Sequence, residues 1–134
     1  MSTLKFPRHI YDELISHARA GFPLEVCGIL GGQGETIARL WRMTNSDASN
    51  EHFSMLPKEQ FAVAKEMRGD GLEMLAVYHS HPESPARPSS EDIRLAHTPG
   101  ISHVIVSLLN PEEPVLKSFK ISAGAVTPGE VEIF

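Results

Sequence analysis

Ten glycines and ten prolines are spread along the 134 residues of this chain, so the helices and strands between them must be short. Apolar segments of strand length alternate with amphipathic segments of helix length, a pattern typical of a mixed α/β fold. The longest apolar run covers residues 104–109, far short of the ~20 residues that cross a bilayer. We therefore expect one α/β domain over residues 1–134 and no association with a membrane.

Hydrophobic periodicity predicts about six strands and about three helices. Apolar residues at four-residue spacing, as at Ile10, Leu14 and Ala18, mark the first helix. The helices are predicted at residues 7–20, 57–67 and 89–97. The strands are predicted at residues 25–30, 36–43, 72–78, 101–109 and 115–121, with a short strand at 52–56 and an edge strand within 125–134. The expected architecture is a mixed sheet covered by helices.

The net charge, the single cysteine and the N-terminal segment indicate which partners and which cellular compartment to expect. Seventeen Asp and Glu residues against twelve Lys and Arg residues leave a net charge of -5, whereas a nucleic-acid-binding protein normally carries a basic stripe that neutralises phosphates. Cys27 is the single cysteine and cannot form an internal disulfide, and the N-terminal segment has no apolar signal core. We therefore expect no nucleic-acid partner and a cytoplasmic location.

The segment from His79 to Asp92 contains the residues with the clearest chemical meaning. His79 and His81 are two positions apart, and the two-residue period of a strand points both imidazoles to the same face. Prolines in residues 82–88 turn the chain, and Asp92 follows in the first turn of the next predicted helix, where it can supply a carboxylate ligand. Two imidazoles and one carboxylate leave the fourth position of a tetrahedral zinc ion open for water, as in hydrolytic zinc sites.

Glu25 and Ser89 are candidates for the remaining catalytic roles. Glu25 begins the apolar segment 25–30, where a carboxylate is out of place unless it has a partner or a function. Facing a metal site, it could take a proton from the attacking water and pass it to the leaving amine. Ser89 lies at the start of the helix that carries Asp92, and its hydroxyl could donate a hydrogen bond to the developing oxyanion.

Each of these residues also has an ordinary structural interpretation. Ser89 and Asp92 have the spacing of a helix N-cap with an acid at the third position, and both interpretations hold together if the cap orients Asp92. His79 and His81 could form a half-exposed strand pair, and Glu25 could be a strand-edge carboxylate. The full spacing arises in a shuffled chain with a chance of about one in a thousand, which favours the metal site.

Other conspicuous side chains are expected to be structural. Cys27 is predicted to pack as a small hydrophobe, and Trp41 to pack on the sheet. Asn45 either reaches the active-site groove or serves in a turn, and the sequence leaves its role and that of Cys27 open. Two histidines of the first helix are expected to be solvated and three others to be structural or superficial, namely His9 and His17, then His52, His97 and His103.

Five residues together resemble the JAMM motif of the MPN+ metalloproteases, namely Glu25, His79, His81, Ser89 and Asp92. Residues 23–31 are similar to the first active-site strand of that family, residues 77–82 to its second, and residues 88–92 to its helix start. The resemblance implies a three-layer α/β/α sandwich with a mixed sheet, similar to the cytidine-deaminase fold. It also implies a zinc peptidase or isopeptidase with one zinc ion per chain, in which the two histidines and the aspartate bind the metal, the glutamate is the acid/base and the serine supports the oxyanion.

The resemblance also implies a class of substrate. Eukaryotic relatives cleave ubiquitin-like modifiers within large complexes, and this chain has no room for their specificity insertions. It is more similar to the stand-alone prokaryotic members, which act on small sulfur-carrier or ubiquitin-like proteins ending in Gly-Gly. Such a protein, bound in an extended form along a sheet edge near the site, is the expected partner, while the oligomeric state is left open.

Other functional classes are less consistent with the sequence. A non-catalytic MPN-type binding scaffold is the alternative, although such members have typically lost one or more ligands and this chain has lost none. A nucleoside deaminase would need Pro-Cys-x-x-Cys and a zincin would need His-Glu-x-x-His, and neither is present. A RadC-like protein shares the histidine and aspartate spacing but usually carries an upstream helix-hairpin-helix segment, which does not fit before Glu25.

Overall fold

The computed structural model describes residues 2–134. Within them the chain forms eight strands and three helices. In chain order these are β1 (Thr3–Phe6), α1 (Arg8–Gly21), β2 (Cys27–Gln33), β3 (Thr36–Met43), α2 (Pro57–Gly69), β4 (Glu73–His81), α3 (Ser90–Arg94), β5 (Ser102–Ser107), β6 (Val115–Ser122), β7 (Ala125–Pro128) and β8 (Glu130–Ile133). None of these three helices has the length and hydrophobicity that crossing a membrane requires.

All of these strands belong to one mixed sheet in the order β7-β6-β5-β4-β2-β3-β1-β8. β4 is parallel to β5, and β1 is parallel to both β3 and β8, while the other neighbours are antiparallel. The predicted mixed sheet is confirmed. Because β2 and β5 flank β4, the strand that ends in His79 and His81 is hydrogen-bonded on both sides.

Helix α1 covers one face of the sheet because its apolar residues recur on one side. Ile10, Leu14 and Ala18 are buried, and they pack with Leu30 of β2 and Tyr78 of β4. Burying a side chain such as Leu14 completely stabilises the fold by roughly 1.5–3 kcal/mol. The four-residue spacing in the sequence therefore corresponds to the contact between α1 and the sheet.

Helix α2 covers the opposite face, where Val63 and Met67 pack against the side chains of β2 and β3. Along β4, Tyr78 belongs to the cluster on the α1 side. Side chains alternate along a strand, so His79 and His81 point to the α2 side. Helices on both faces confirm the expected three-layer α/β/α arrangement, and they place both histidines in the layer between the sheet and α2.

Gly28 lets β2 pass close to the ring of Tyr78, with which it is paired in register. A Cβ atom at position 28 would overlap that ring. The hydroxyl of Tyr78 forms a hydrogen bond of 2.7 Å with Nδ1 of His17 on α1. Burial lowers the pKa of His17 to about 4, and the charge of Arg42 adds to the shift. The expectation that His17 is solvated is therefore wrong, because α1 turns this ring toward the sheet.

The ends of the chain differ most from the prediction. Instead of one edge strand within residues 125–134 there are two, and they lie at opposite edges of the sheet. β7 pairs with β6, whereas β8 pairs with β1 and aligns Thr3 with Glu130. β1 is absent from the prediction because four residues are too few to show a periodic pattern.

Internal elements also differ from the prediction in their limits. β2 continues through Gly31 and Gly32 instead of ending before them, with a register shift at that point. The ring of Trp41 lies so close to Gly31 that a Cβ there would be 2.8 Å from it, so this glycine serves packing and does not end the strand. Helix α3 is shorter than the predicted 89–97. The segment 52–56 forms an isolated bridge between Asn45 and Met55 in place of a strand.

Candidate active site

Three potential metal ligands converge where β4 ends and α3 begins. Nε2 of His79, Nε2 of His81 and Oδ2 of Asp92 are 3.1 Å apart in every pair. In a tetrahedral zinc site with ligand distances of ~2.0–2.1 Å, two ligand atoms are roughly 3.3 Å apart. The three atoms therefore have nearly the separations of a ligand set around one small cation.

The loop between β4 and α3 fixes the ring of His81. Its Nδ1 lies 2.9 Å from the carbonyl oxygen of Pro85, and only a protonated nitrogen can donate to a carbonyl. The neutral ring therefore keeps its lone pair on Nε2, the atom that faces the other two ligands. The next residue of the loop, Ala86, is buried against Ile105 and Phe119 and holds the loop in place.

His79 is held by stacking and by burial. Its ring stacks on Phe53, with ring centroids 4.7 Å apart and an angle of 28° between the planes. Burial lowers the pKa of His79. The ring is therefore neutral at physiological pH, and neutral imidazole is the form that binds metal ions.

Ser89 and Asp92 form a capping box at the start of α3. Oγ of Ser89 accepts a hydrogen bond of 3.0 Å from the amide of Asp92, and the amide of Ser89 donates one of 2.9 Å to Oδ2 of Asp92. The predicted N-cap is confirmed, and it fixes the oxygen that faces the two imidazoles. Burial opposes ionisation of Asp92, but the adjacent imidazoles of His79 and His81 and the amide of Ser89 outweigh it and hold the pKa of this carboxyl well below its usual range.

The donor set fits a zinc ion. Two imidazole lone pairs and a carboxylate oxygen that point at one another repel unless a cation or a proton lies between them. Imidazole nitrogen and carboxylate oxygen are ordinary zinc ligands, and three protein ligands leave a position open. Within residues 2–134, the side chains that could together hold a metal ion are those of His79, His81 and Asp92.

Glu25 reaches the same end of the sheet through the start of β2. The amide of Val26 donates to Oγ of Ser80 at 2.9 Å, and the carbonyl of Val26 accepts from the amide of Ser80 at 3.0 Å. In an antiparallel pair the residue before Val26 lies beside the residue after Ser80, so the backbone of Glu25 comes next to that of His81. The side chain of Glu25 is 5% exposed, and its Oε1 has no hydrogen-bond partner among the described residues.

The environment of Glu25 suits a group that transfers protons. Burial raises the pKa of Glu25 to about 7, with His81 opposing the shift and Asp92 adding to it. A carboxyl group that titrates near neutral pH can accept and release a proton under the same conditions. A buried oxygen without a hydrogen bond is costly to the fold, which indicates a functional reason for this side chain.

A cleft of about 400 Å³ opens beside the ligands. Its walls include His79 and Asp92 together with several residues that the sequence does not place in the site, among them Phe53, His97 and His103. Phe53 belongs to a segment without regular secondary structure, and the short strand predicted at residues 52–56 gives no indication that this side chain reaches the site. His103 lies beside Val77 in the parallel pairing of β4 and β5, which a single sequence does not reveal. Burial lowers the pKa of His103, so its ring is neutral.

The site lies over the interior of the sheet. Within the described residues, the edge strands are β7 and β8, three and four positions away from β4 in the sheet order. The edges formed by β7 and β8 therefore do not adjoin the site, and the extended binding of a substrate near the site stays a prediction. The site adjoins the ends of β4 and β2 and the loops next to them.

The other singled-out side chains are mostly structural. Cys27 is completely buried, burial raises the pKa of its thiol to about 12, and its predicted packing as a small hydrophobe is confirmed. Trp41 packs on the sheet as predicted, under α2, and its Nε1 donates to Glu66 at 2.7 Å. Asn45 contacts the site, because its Nδ2 donates to the backbone carbonyl of Glu25 at 3.1 Å.

Comparison with known proteins identifies the family. Residues 7–122 match a family model described as prokaryotic homologs of the JAB domain. The chain is 32% identical over 126 residues to the CysO-cysteine peptidase of Mycobacterium tuberculosis, covering 92% of this chain and 86% of that protein. It is 32% identical over 113 residues to the desampylase of Haloferax volcanii, covering 79% and 81%. A solution structure of a Desulfitobacterium hafniense protein is similar with a TM-score of 0.90 and 43% identity, covering 98% of this chain and 92% of that one.

The matched region includes the converging ligands, the buried Glu25 and the capping Ser89. One of the two relatives is named as a peptidase, which favours catalysis over the scaffold alternative. The chain therefore belongs to the prokaryotic JAB-domain branch of the JAMM/MPN+ family and is a hydrolase of that type.

Proposed function

We propose that this chain is a zinc-dependent peptidase or isopeptidase that hydrolyses the bond after the C-terminal Gly-Gly of a small ubiquitin-like or sulfur-carrier protein. The observation that carries this proposal is the buried Oε1 of Glu25, which has no hydrogen-bond partner among the described residues, in a carboxyl group that senses the charges of His81 and Asp92, two of the three residues whose ligand atoms converge. The names of two relatives, a CysO-cysteine peptidase and a desampylase, support the class of substrate. The net charge of -5 accords with a protein partner and not with a nucleic acid.

His79, His81 and Asp92 would hold one zinc ion per chain through the three atoms that face one another. When bound, such an ion acts as a Lewis acid and lowers the pKa of a water molecule toward ~7. The contribution of the chain is orientation. The carbonyl of Pro85 fixes the tautomer of His81, Phe53 stacks on His79, and the capping box aims Oδ2 of Asp92.

Glu25 would move the proton. Its ionised carboxylate accepts a proton from the attacking water, and the resulting carboxylic acid later donates that proton to the nitrogen of the leaving amine. The pKa of about 7 makes both steps possible at neutral pH. Burial of the carboxyl keeps bulk water from competing for the same proton.

Ser89 would stabilise the charge that develops on the scissile carbonyl. Its Oγ already accepts a hydrogen bond from the amide of Asp92, which leaves the hydroxyl hydrogen free to donate. A donor aimed at a developing oxyanion contributes about 10²–10³ in kcat in other hydrolases. The same hydroxyl thus caps α3 and serves the reaction.

The substrate class is tested by mass spectrometry on small β-grasp proteins extended beyond a C-terminal Gly-Gly. We expect a single cut after the Gly-Gly, which a chelator abolishes and added zinc restores. The same proteins with Ala-Ala in place of Gly-Gly are the control and should remain intact. If none of the Gly-Gly proteins is cut by the zinc-loaded chain, the proposed substrate class is wrong.

The role of Glu25 is tested by Glu25→Gln, which keeps the size of the side chain and removes its ability to exchange a proton. We expect cleavage to be abolished while the protein retains about one zinc ion per chain. Glu35→Gln, in the exposed turn between β2 and β3, is the matched control and should be as active as the wild type. A fully active Glu25→Gln protein would refute the assigned role.

A further inference from the structure

Asn45, the second residue after β3, uses every hydrogen-bonding position of its side chain. Its Nδ2 donates to the carbonyl of Glu25 at 3.1 Å and to the carbonyl of His52 at 3.1 Å. Its Oδ1 accepts from the amide of Asp47 at 3.1 Å and from the amide of Ser54 at 3.2 Å. A primary amide has two donor hydrogens and two acceptor lone pairs, so all four are satisfied.

These bonds connect the active site to the loop of residues 44–56. The base of the loop is anchored on α2, because both carboxylate oxygens of Glu59 accept hydrogen bonds from Thr44, at 2.8 Å and 2.7 Å. Farther along, the loop places Phe53 on the ring of His79. It therefore contacts a proposed metal ligand with one of its side chains and Glu25 with the amide of Asn45.

The backbone of Glu25 depends on this loop for its position. β2 begins at Cys27, so Glu25 lies outside the strand ladder. Its amide donates to the carbonyl of Ser49 at 2.8 Å, and its carbonyl accepts from Asn45. Both backbone groups of Glu25 are thus satisfied by the loop, and Asn45 is the side chain that ties the loop together at this point.

We propose that Asn45 is a positioning residue that holds the backbone of Glu25, and with it the carboxyl group, against the ligands at the end of β4. This inference rests on the proposed function, since it assigns Asn45 a part in the step that Glu25 performs. The donor half of the amide holds Glu25 and also closes the loop at His52, whereas the acceptor half only folds the loop onto itself.

Asn45→Asp separates the two tasks. The carboxylate keeps the acceptors for the amides of Asp47 and Ser54 but cannot donate to the carbonyls of Glu25 and His52. The probe is a Gly-Gly-ending β-grasp protein joined through an isopeptide bond to a lysine-bearing fluorophore. We expect kcat at its pH plateau to fall by roughly tenfold to a hundredfold with KM nearly unchanged, because a misplaced catalytic group affects the chemical step. Measuring the whole pH profile separates this loss from a shift of the profile caused by the new charge.

Controls distinguish positioning from general damage. Asn110→Ala removes an amide whose Oδ1 accepts from the amide of Glu112 in an exposed turn, and it should leave kcat unchanged. Asn45→Ala removes both halves of the amide and should be at least as impaired as Asn45→Asp. Both Asn45 variants should keep about one zinc ion per chain, since no ligand is altered. A value of kcat for Asn45→Asp within twofold of the wild type would overturn the proposal.

Amide hydrogen exchange on the same proteins without metal gives a readout that needs no substrate. In Asn45→Asp we expect faster exchange at the amide of Glu25 and unchanged protection at Asp47 and Ser54. Unchanged protection of Glu25 in both Asn45 variants would overturn the positioning role. If the wild type fails to cut the probe but the exchange pattern is as expected, the proposed substrate is wrong while the contact between Asn45 and Glu25 still holds the loop.

Discussion

At the scale of single residues, the burial that suits the carboxyl of Glu25 to proton transfer also lowers the stability of the fold. Its pKa is raised by burial from 4.5 to about 7, so the folded chain keeps a proton that the unfolded chain has released. An acid whose pKa is higher in the folded chain than in the unfolded chain makes its full contribution to stability at pH values below the unfolded pKa. That contribution is lost as the pH rises through the folded pKa. Glu25 therefore weakens the fold at the pH where we propose that its carboxylate acts as a base.

From this we predict that Glu25→Gln stabilises the metal-free protein as the pH rises. The difference in unfolding free energy between variant and wild type should grow by about 2 kcal/mol between pH 5 and pH 8, because the neutral amide avoids burying a charge. Urea unfolding at the two pH values measures it, and Glu35→Gln provides the exposed control. A difference that is the same at both pH values would show that the folded pKa of Glu25 is not raised.

Most of the candidate site can be predicted from the sequence, because binding one metal ion requires a particular spacing of the ligand residues within a short segment. His79 and His81 must share a strand face, and Asp92 must follow the turn, so the pattern is visible without a structure. Phe53 and His103 reach the cleft through packing and through parallel strand pairing. Neither kind of contact leaves a mark in the local sequence, and so both residues were missed.

At the scale of elements, the site depends on how closely β2 and β4 approach each other. These strands carry Glu25 and the histidines to the same end of the sheet, and Gly28 of β2 lies directly against Tyr78 of β4. A side chain at position 28 would overlap the ring of Tyr78, so that ring or the backbone of the two strands would have to shift. A change distant from the proposed ligands can therefore disturb the packing between the two strands.

We predict that Gly28→Ala destabilises the protein by about 1–3 kcal/mol, since the added methyl group overlaps the ring of Tyr78. The matched control is Gly69→Ala at the end of α2, where a Cβ meets no atom within 4 Å. That substitution should be neutral or stabilising by up to about 1 kcal/mol. Thermal unfolding of both variants decides the matter, and equal melting temperatures would mean that the strands tolerate the extra volume.

The elements that could be predicted are those in which buried residues recur at a regular spacing along the chain. The limits of β3, Thr36–Met43, agree with the prediction residue by residue, and the apolar core of β4 was recognised as a strand. β1 and β8 have four residues each and pair with one another from opposite ends of the chain. Their pairing depends on closure of the whole sheet, which no local pattern encodes.

At the scale of the whole molecule, metal binding is expected to be linked to folding. The three proposed ligands come from β4 and from α3, and they are brought together only in the folded chain. A ligand that binds the native state and not the unfolded state stabilises the protein by about 2.7 kcal/mol at a concentration of 100 times its Kd. The protein should therefore melt at a higher temperature when zinc is present.

We predict that this increase survives in Glu25→Gln and disappears in His81→Ala. Glu25 is not one of the three ligands, whereas loss of the His81 imidazole leaves only two. Thermal unfolding with and without zinc makes the comparison, and His9→Ala, on the exposed side of α1, is the control that should respond like the wild type. An equal zinc response from His81→Ala would place the ion elsewhere.

The interior position of β4 has an evolutionary consequence. Both sides of this strand are taken by β2 and β5, so a polypeptide cannot dock on it by adding a further strand. Selectivity must then depend on the loops around the cleft, outside the contacts by which residues 44–56 hold Glu25 and His79. The exposed parts of such loops can change in sequence between related proteins while the residues of the site are kept. The same fold can then bind new substrates with unchanged chemistry.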